Sequence, residues 1–450
     1  MVVFRVPTIV TSSMSRLGEY SSLLDPSLNR LGFIAGTVVY FLALGLSYAY
    51  LISPTFGYLG AVYRPRGTFV ILVCAVLTLL PSVWVPVQLN RPSQVIYVLL
   101  YLMVMVPTLL VGTLAGVFSL PRVLLFGTTL VAVFRALRFI YRLPTLDFPK
   151  VVKTSTGFWF ILAAFATGLY GILIAKYGLY TQIPSFSDVY TQREEFRRVV
   201  SGVGAYVFFW TAKAINPFFL AKGYVDRSLP LFMIGILGQL LLFTMSGLKS
   251  VLFSFLLLGA ILIALWKDGQ FFSNWVVWGL VGIIVFTSAV DTYLRATVTS
   301  SLFVRRLLVV PGLNTAFYFD FFSTNPHVFL GHSVLDWAVT YPYDTRPAMV
   351  IGDAYYGHTQ GPIDMSANAN LWADAYANFG VFGILLFTAI LGSLLWVIDS
   401  IAEGSSLKIS TLLLAYPAYM LVNTKLQTTL LTHGLILVFA VLYILPRRKT

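Results

Sequence analysis

A single cysteine, Cys74, in 450 residues excludes an intrachain disulfide. It lies inside an apolar run and reads as a small apolar side chain. Charge is scarce too. Asp, Glu, Lys and Arg make up 10% of the chain, against 58% hydrophobic residues, which excludes an ordinary soluble core and sets the class as membrane. Acid is scarcer than base, 17 residues against 30. An excess of base suits nucleic acid, but here it sits at the ends of apolar runs and in loops, without an RNA-binding aromatic signature, so nucleic acid is not an expected partner. The four histidines show no His-x-x-x-His spacing, and no two aspartates stand as Asp-x-Asp. Neither a metal site nor a cofactor is therefore expected. The chain also lacks a repeat of fixed period, a low-complexity tract and a cleavable signal pattern.

What is present is a series of apolar runs. A helix needs about 20 mostly apolar residues to cross a bilayer. Twelve candidates fall at about 32–52, 68–88, 94–118, 122–141, 156–176, 199–220, 229–245, 248–266, 274–294, 374–398, 408–423 and 427–445. The expected fold is all-α and polytopic, one unit over 1–450, with a long loop, 295–373, between the ninth and tenth spans. Arg138, Arg142, Lys150, Lys153, Arg447, Arg448 and Lys449 fall on one side and predict both termini in the cytoplasm. The loops 177–198 and 295–373 then lie outside. Within the second, 302–313 is apolar but carries Arg305 and Arg306, which predicts an interfacial or re-entrant helix.

The polar chemistry gathers in those two loops. Arginine pairs match phosphoryl oxygens with a planar fork of donors. Arg305, Arg306, Arg193, Arg197, Arg198, Arg346 and Lys249 are the candidates for holding a phosphate. A general base must reach the proton that it removes, and Asp374, His332 and His358 are the candidates. Asp374 opens the tenth span within Asn368-Ala-Asn370-Leu-Trp372-Ala-Asp374-Ala-Tyr-Ala-Asn378-Phe-Gly380. Four-residue spacing puts Asn370, Asp374 and Asn378 on one helical face, with the two amides as candidates for binding substrate. Asn also caps helices, and Asp suits a helix start, so the same residues can be read as a helix beginning. Tyr318 and Trp372 are candidate apolar platforms for a substrate. Lys213, with Asn216 and Pro217, is costly inside a span unless it is paired or faces an aqueous cavity.

The run Asn368 to Gly383, the stretch Arg305-Arg306-Leu-Leu-Val-Val-Pro311-Gly312 with Tyr318-Phe-Asp320-Phe-Phe and His327 to Ser333, and the turn Ser246-Gly-Leu-Lys249-Ser250 resemble the oligosaccharide repeat-unit polymerases of bacterial surface polysaccharides (Wzy-type polymerases). Relatives often carry arginine where this chain has Lys249. The resemblance covers the second half well and the first half by topology. It implies a metal-independent membrane glycosyltransferase of GT-C-like architecture in the bacterial inner membrane. The donor would be a growing glycan on undecaprenyl diphosphate, the acceptor one lipid-linked repeat unit, and a chain-length regulator a partner. A ligase with the same donor and a different acceptor, and a flippase for lipid-linked oligosaccharides, are the alternatives.

Overall fold

The computed structural model describes residues 26–149, 151–152, 154–178, 188–356 and 366–447. They form sixteen helices, a short 3-10 turn at Trp266–Gly269 and, among the described residues, no strand. In chain order these are α1 Ser27–Leu59, α2 Thr68–Val83, α3 Gln94–Leu114, α4 Leu120–Ile140, α5 Ser155–Tyr177, α6 Asp188–Val199, α7 202–225, α8 Leu229–Ser246, α9 Lys249–Ala264, α10 Phe272–Leu294, α11 298–321, α12 Pro347–Tyr356, α13 Leu371–Ala402, α14 Leu407–Asn423, α15 Leu426–Leu430 and α16 Leu435–Ile444. Seven of them, α1, α3, α4, α5, α8, α10 and α13, are long and apolar enough to cross a membrane. The protein is a helical membrane protein.

Packing follows the side chains. α3 is apolar on every face and is buried along its length at the centre of the bundle. Small residues let the backbones approach, as membrane helices require. Gly312 of α11 sits on Pro107 of α3, and Gly112 of α3 sits on Ala316 of α11. The outer helices turn Phe69, Phe160, Leu256, Ile263 and Phe286 outward, where an aqueous surface would carry charge.

The connections fall into two sets, one at each end of the bundle. At one end Arg91 Nη2 donates to Leu143 O (2.8 Å), and Leu89 N to Gly269 O (3.0 Å). Arg447 pairs with Asp147 and Lys408 with Asp268, both at 2.9 Å. Asp399 there accepts from Ser93 N (3.0 Å) and Ser93 Oγ (2.8 Å). At the other end Arg64 N donates to Leu114 O (2.8 Å), Arg66 Nε to Gly116 O (2.7 Å), and Arg122 pairs with Asp320. The second end carries α6, α11, α12 and the start of α13, hence most of the candidate site residues.

The structure adds detail to two expectations. The segment 302–313 belongs to one longer helix, α11, widened to π geometry over Ser301–Val309. Val304, Leu308, Val309 and Leu313 are buried, while Arg305 is drawn over the Phe56 ring, 4.2 Å from its centroid. The apolar run from Asp374 to Ile398 is also broken. Phe379 (φ −142°, ψ 20°) and Gly380 (φ 60°, ψ −147°) interrupt α13 and divide it into a short arm, 371–378, and a long arm, 381–402. The long arm alone has the length of a span.

Candidate functional site

The short arm of α13 begins at Asn370, which is fully buried. Its extended backbone places Oδ1 to accept from Trp372 N (3.0 Å) and Ala373 N (3.1 Å), satisfying two amides that a helix start leaves open. Its Nδ2 donates to Thr315 Oγ1 of α11 (2.6 Å). Both ends of the Asn370 amide are thus engaged by the protein. Asn378 closes the arm. It donates to Asp374 O (2.7 Å) and accepts from Leu330 N (2.7 Å), while Val328 N donates to Ala377 O (2.9 Å). The loop 327–331 is therefore docked on the break, and Phe329 and Leu330 take positive φ to make the turn. Trp372 lies in the core. It is fully buried, edge-on to Phe134, with Nε1 on Thr388 Oγ1 (3.0 Å). In this structure it offers no surface to a sugar ring, because its ring fills the space between α4 and the long arm.

Asp374 sits between these two amides and differs from both. Its Oδ2 is buried and has no hydrogen-bond partner. Buried carboxylate oxygens are nearly always satisfied, so Asp374 is a candidate for contact with a bound group. Lys425, in the turn before α15, lies within electrostatic reach of Asp374 but outside ion-pair contact. Tyr318 is buried on α11 and feels Asp374, Tyr341, Tyr356 and the exposed Arg346. One carboxylate, one phenol and two cations from α11, α13 and the connections before α12 and α15 thus converge.

Most of the other candidates have partners of their own. Arg305 donates from Nε to Ser301 Oγ (3.0 Å) and is in reach of Arg306, Tyr58 and Tyr356. Tyr356 hydrogen-bonds Asn314 Oδ1, whose Nδ2 donates to Asn368 O (2.8 Å), so the arginine pair is linked to the start of α13 through two side chains. Asp320 accepts from Arg122 and from Tyr355 Oη, and ties α12 to α4 and α11. Burial first, and then the bond to Asp320, push the Tyr355 hydroxyl above its usual range. Arg193 and Lys249 are brought to one corner by Gly247, where a Cβ would meet Val189 O at 2.7 Å and Arg193 N at 3.1 Å. Arg197 and Arg198 are exposed on α6, and Arg197 faces Glu194 at 3.8 Å. His332 is exposed beside Tyr341. His358 lies outside the described residues.

Two features escape a reading of the sequence. The histidine nearest the break is His327, among Phe322, Phe329 and Tyr376, with a buried Nδ1 that has no partner. The second is the seat of Lys213. Its Nζ lies 2.7 Å from His433 Nδ1 and 3.0 Å from Met420 Sδ, over the rings of Phe209 and Tyr416. Trp210 Nε1 donates to Leu431 O (2.7 Å). Together they pin the 424–434 turn that carries Lys425. An apolar cavity of about 320 Å³ between α1, α2 and α3, lined by Phe41, Leu46, Tyr50, Tyr63, Ile71 and Leu110, opens between exposed side chains. Among the described residues no group of three or more His, Cys, Asp or Glu gathers to hold a metal ion. Comparison with protein-family models, curated proteins and solved structures returns no match to the chain.

Proposed function

We propose that this chain joins oligosaccharide repeat units carried on a lipid diphosphate, at the outer face of a bacterial inner membrane. The observation that carries the reading is Asp374, a carboxylate with a buried and unpartnered oxygen, in electrostatic reach of Tyr318 and Lys425 at the end of the bundle. The acceptor hydroxyl loses its proton to Asp374 as its oxygen bonds to the anomeric carbon of the donor glycan. The bond from that carbon to the diphosphate breaks, and undecaprenyl diphosphate leaves with the electron pair. Cations must meet the charge that develops on it, and Arg305, Arg306, Arg346 and Lys425 serve. The apolar cavity borders α1 just before Phe56, which underlies Arg305, and has the character that a polyprenyl chain requires. The ligase reading shares this donor chemistry. A flippase calls for polar groups left open near the midplane, whereas the Lys213 ammonium is engaged by His433, Met420 and two aromatic faces.

The GT-C-like arrangement belongs to the same proposal, with twelve passes and both termini in the cytoplasm. Counting α2, α7, α9, α14 and α16 with the seven longer helices, each inter-loop contact given above joins two connections that this count places on one side. The test is labelling of single cysteines in a Cys74→Ser background. Thr340→Cys is expected to react with an impermeant reagent from outside, and Glu403→Cys only from inside. Labelling of both from one side ends the twelve-pass count.

The activity itself is tested with purified protein in liposomes supplied with a lipid-linked repeat unit. A ladder of longer lipid-linked glycans is expected. Products found only on an added lipid core mean ligase, and none on either acceptor removes the glycosyltransferase reading. Arg305→Ala with Arg306→Ala is expected to slow the ladder by two to three decades, about 2–4 kcal/mol of barrier. Lysine at both positions should restore only part of the rate, because the fork is lost. A full-rate ladder from the double alanine variant removes the pair from leaving-group binding.

A further inference from the structure

The end of the bundle opposite Asp374 carries a second charged group that the proposed chemistry does not use. Arg30, near the start of α1, lies across the end of α2, where its Nη1 donates to Ser82 O (3.1 Å) and to Val85 O. Arg135, in the last turns of α4, stands over the indole of Trp84, 5.8 Å from the ring centroid. Arg138, nearly one turn further on, is in electrostatic reach of Arg30. All three guanidiniums act on Tyr97, whose hydroxyl is committed to Phe134 O (2.7 Å). Among the described residues none of the three makes an ion pair. Asp399 shares this quarter of the bundle, but Ser93 occupies both of its oxygens, and the arginine that acts on it is Arg91.

Three like charges around one aromatic floor repel one another unless an anion lies between them. Side chains beside the cluster say which kind of anion. Leu28, Leu31, Leu80, Val83 and Phe139 are all exposed there, so the charged group is bordered by a lipid-facing apolar surface. Free phosphate uses the charges and leaves that surface uncovered. A phospholipid uses both, since its headgroup phosphate takes the guanidinium forks and its acyl chains lie on the apolar residues. We infer that Arg30, Arg135, Arg138 and Trp84 form a seat for the phosphate of an anionic phospholipid in the leaflet at this end of the bundle. The seat is independent of the reaction proposed for the other end.

The test is native mass spectrometry of the purified full chain, titrated with phosphatidylglycerol or phosphatidylcholine in an uncharged detergent. The parent is expected to retain one phosphatidylglycerol that phosphatidylcholine does not displace. The Arg30→Gln, Arg135→Gln, Arg138→Gln variant should need at least about ten times more of it. The matching triple lysine variant, which keeps the charge and is the safer one to fold, should fall between the two. Arg64→Gln with Arg66→Gln, at the other end, should bind like the parent. Equal retention by the parent and both triple variants overturns the seat, as does equal binding of the two lipids by the parent. Displacement of the lipid by inorganic phosphate at about 10 mM would assign the cluster to a soluble phosphate and overturn the lipid.

Discussion

Asp374→Asn is expected to leave the protein folded and to slow glycan transfer by at least about a hundredfold. The substitution keeps the shape of the side chain and removes its charge. The fold has little to lose by it. Asn378 holds the backbone oxygen of residue 374, not its carboxylate, and Asp374 Oδ2 has no hydrogen-bond partner. Replacing a buried charge that lacks close partners is commonly neutral or stabilising, so the thermal midpoint should hold or rise. The chemistry has much to lose, because an amide cannot accept the proton of the attacking hydroxyl. Measured in liposomes, three outcomes separate the roles. Normal donor binding with slow turnover supports the base. Loss of donor binding assigns Asp374 to orienting a sugar hydroxyl or a cation. Turnover near the parent rate reduces it to a helix-start residue, a role in which the Asp374 carboxylate would merely favour the positive end of the short arm.

Asp374 also shows how much of this site can be read from sequence. The apolar runs are legible because lipid demands them, and seven of them coincide with helices long and apolar enough to cross a membrane. The break after Asn378 is not, since both arms of α13 are apolar and a hydropathy window passes over the join. The available signal is local: Asn378, Gly380 and Gly383 within six residues. Spacing put Asn370 on the same face as Asp374, but a cap turns its side chain back onto its own helix. For Trp372, composition cannot tell a ring that faces water from one packed on Phe134. The charges at 305 and 306 interrupt an apolar run, and the structure shows that this run is part of the longer α11. Over Phe56 the Arg305 charge is accommodated at the edge of a helix whose other face is interior. The partners of Lys213 are farther still from any local pattern, 207 and 220 residues away along the chain.

The break makes a second demand, at Gly383. A Cβ there would lie 2.1 Å from Ala375 O, 2.9 Å from Ala375 C and 3.0 Å from Phe379 Cβ. Two of these atoms are backbone, so no rotamer change relieves the contact. The short arm that would have to move is held at both ends, by Asn370 on Thr315 and by Asn378 on Leu330. Gly383→Ala must therefore prise the two arms apart and carry Asp374 away from Tyr318 and Lys425. Overpacking against yielding side chains costs about 1–3 kcal/mol, and rigid backbone places this variant at or above the top of that range. The thermal midpoint in detergent should fall clearly, and the protein that remains folded should be inactive. Gly380→Ala should share the defect, because φ of 60° with ψ of −147° is a region that only glycine enters without strain. Gly279 and Gly282 of α10 are the controls, since a Cβ at either meets nothing within 4 Å. Alanine there should be neutral or slightly stabilising, as a better helix former in open space. A Gly383→Ala protein with the midpoint and product ladder of Gly279→Ala would mean that the two arms do not touch in the membrane, and that Asp374 is positioned by something other than this fold-back.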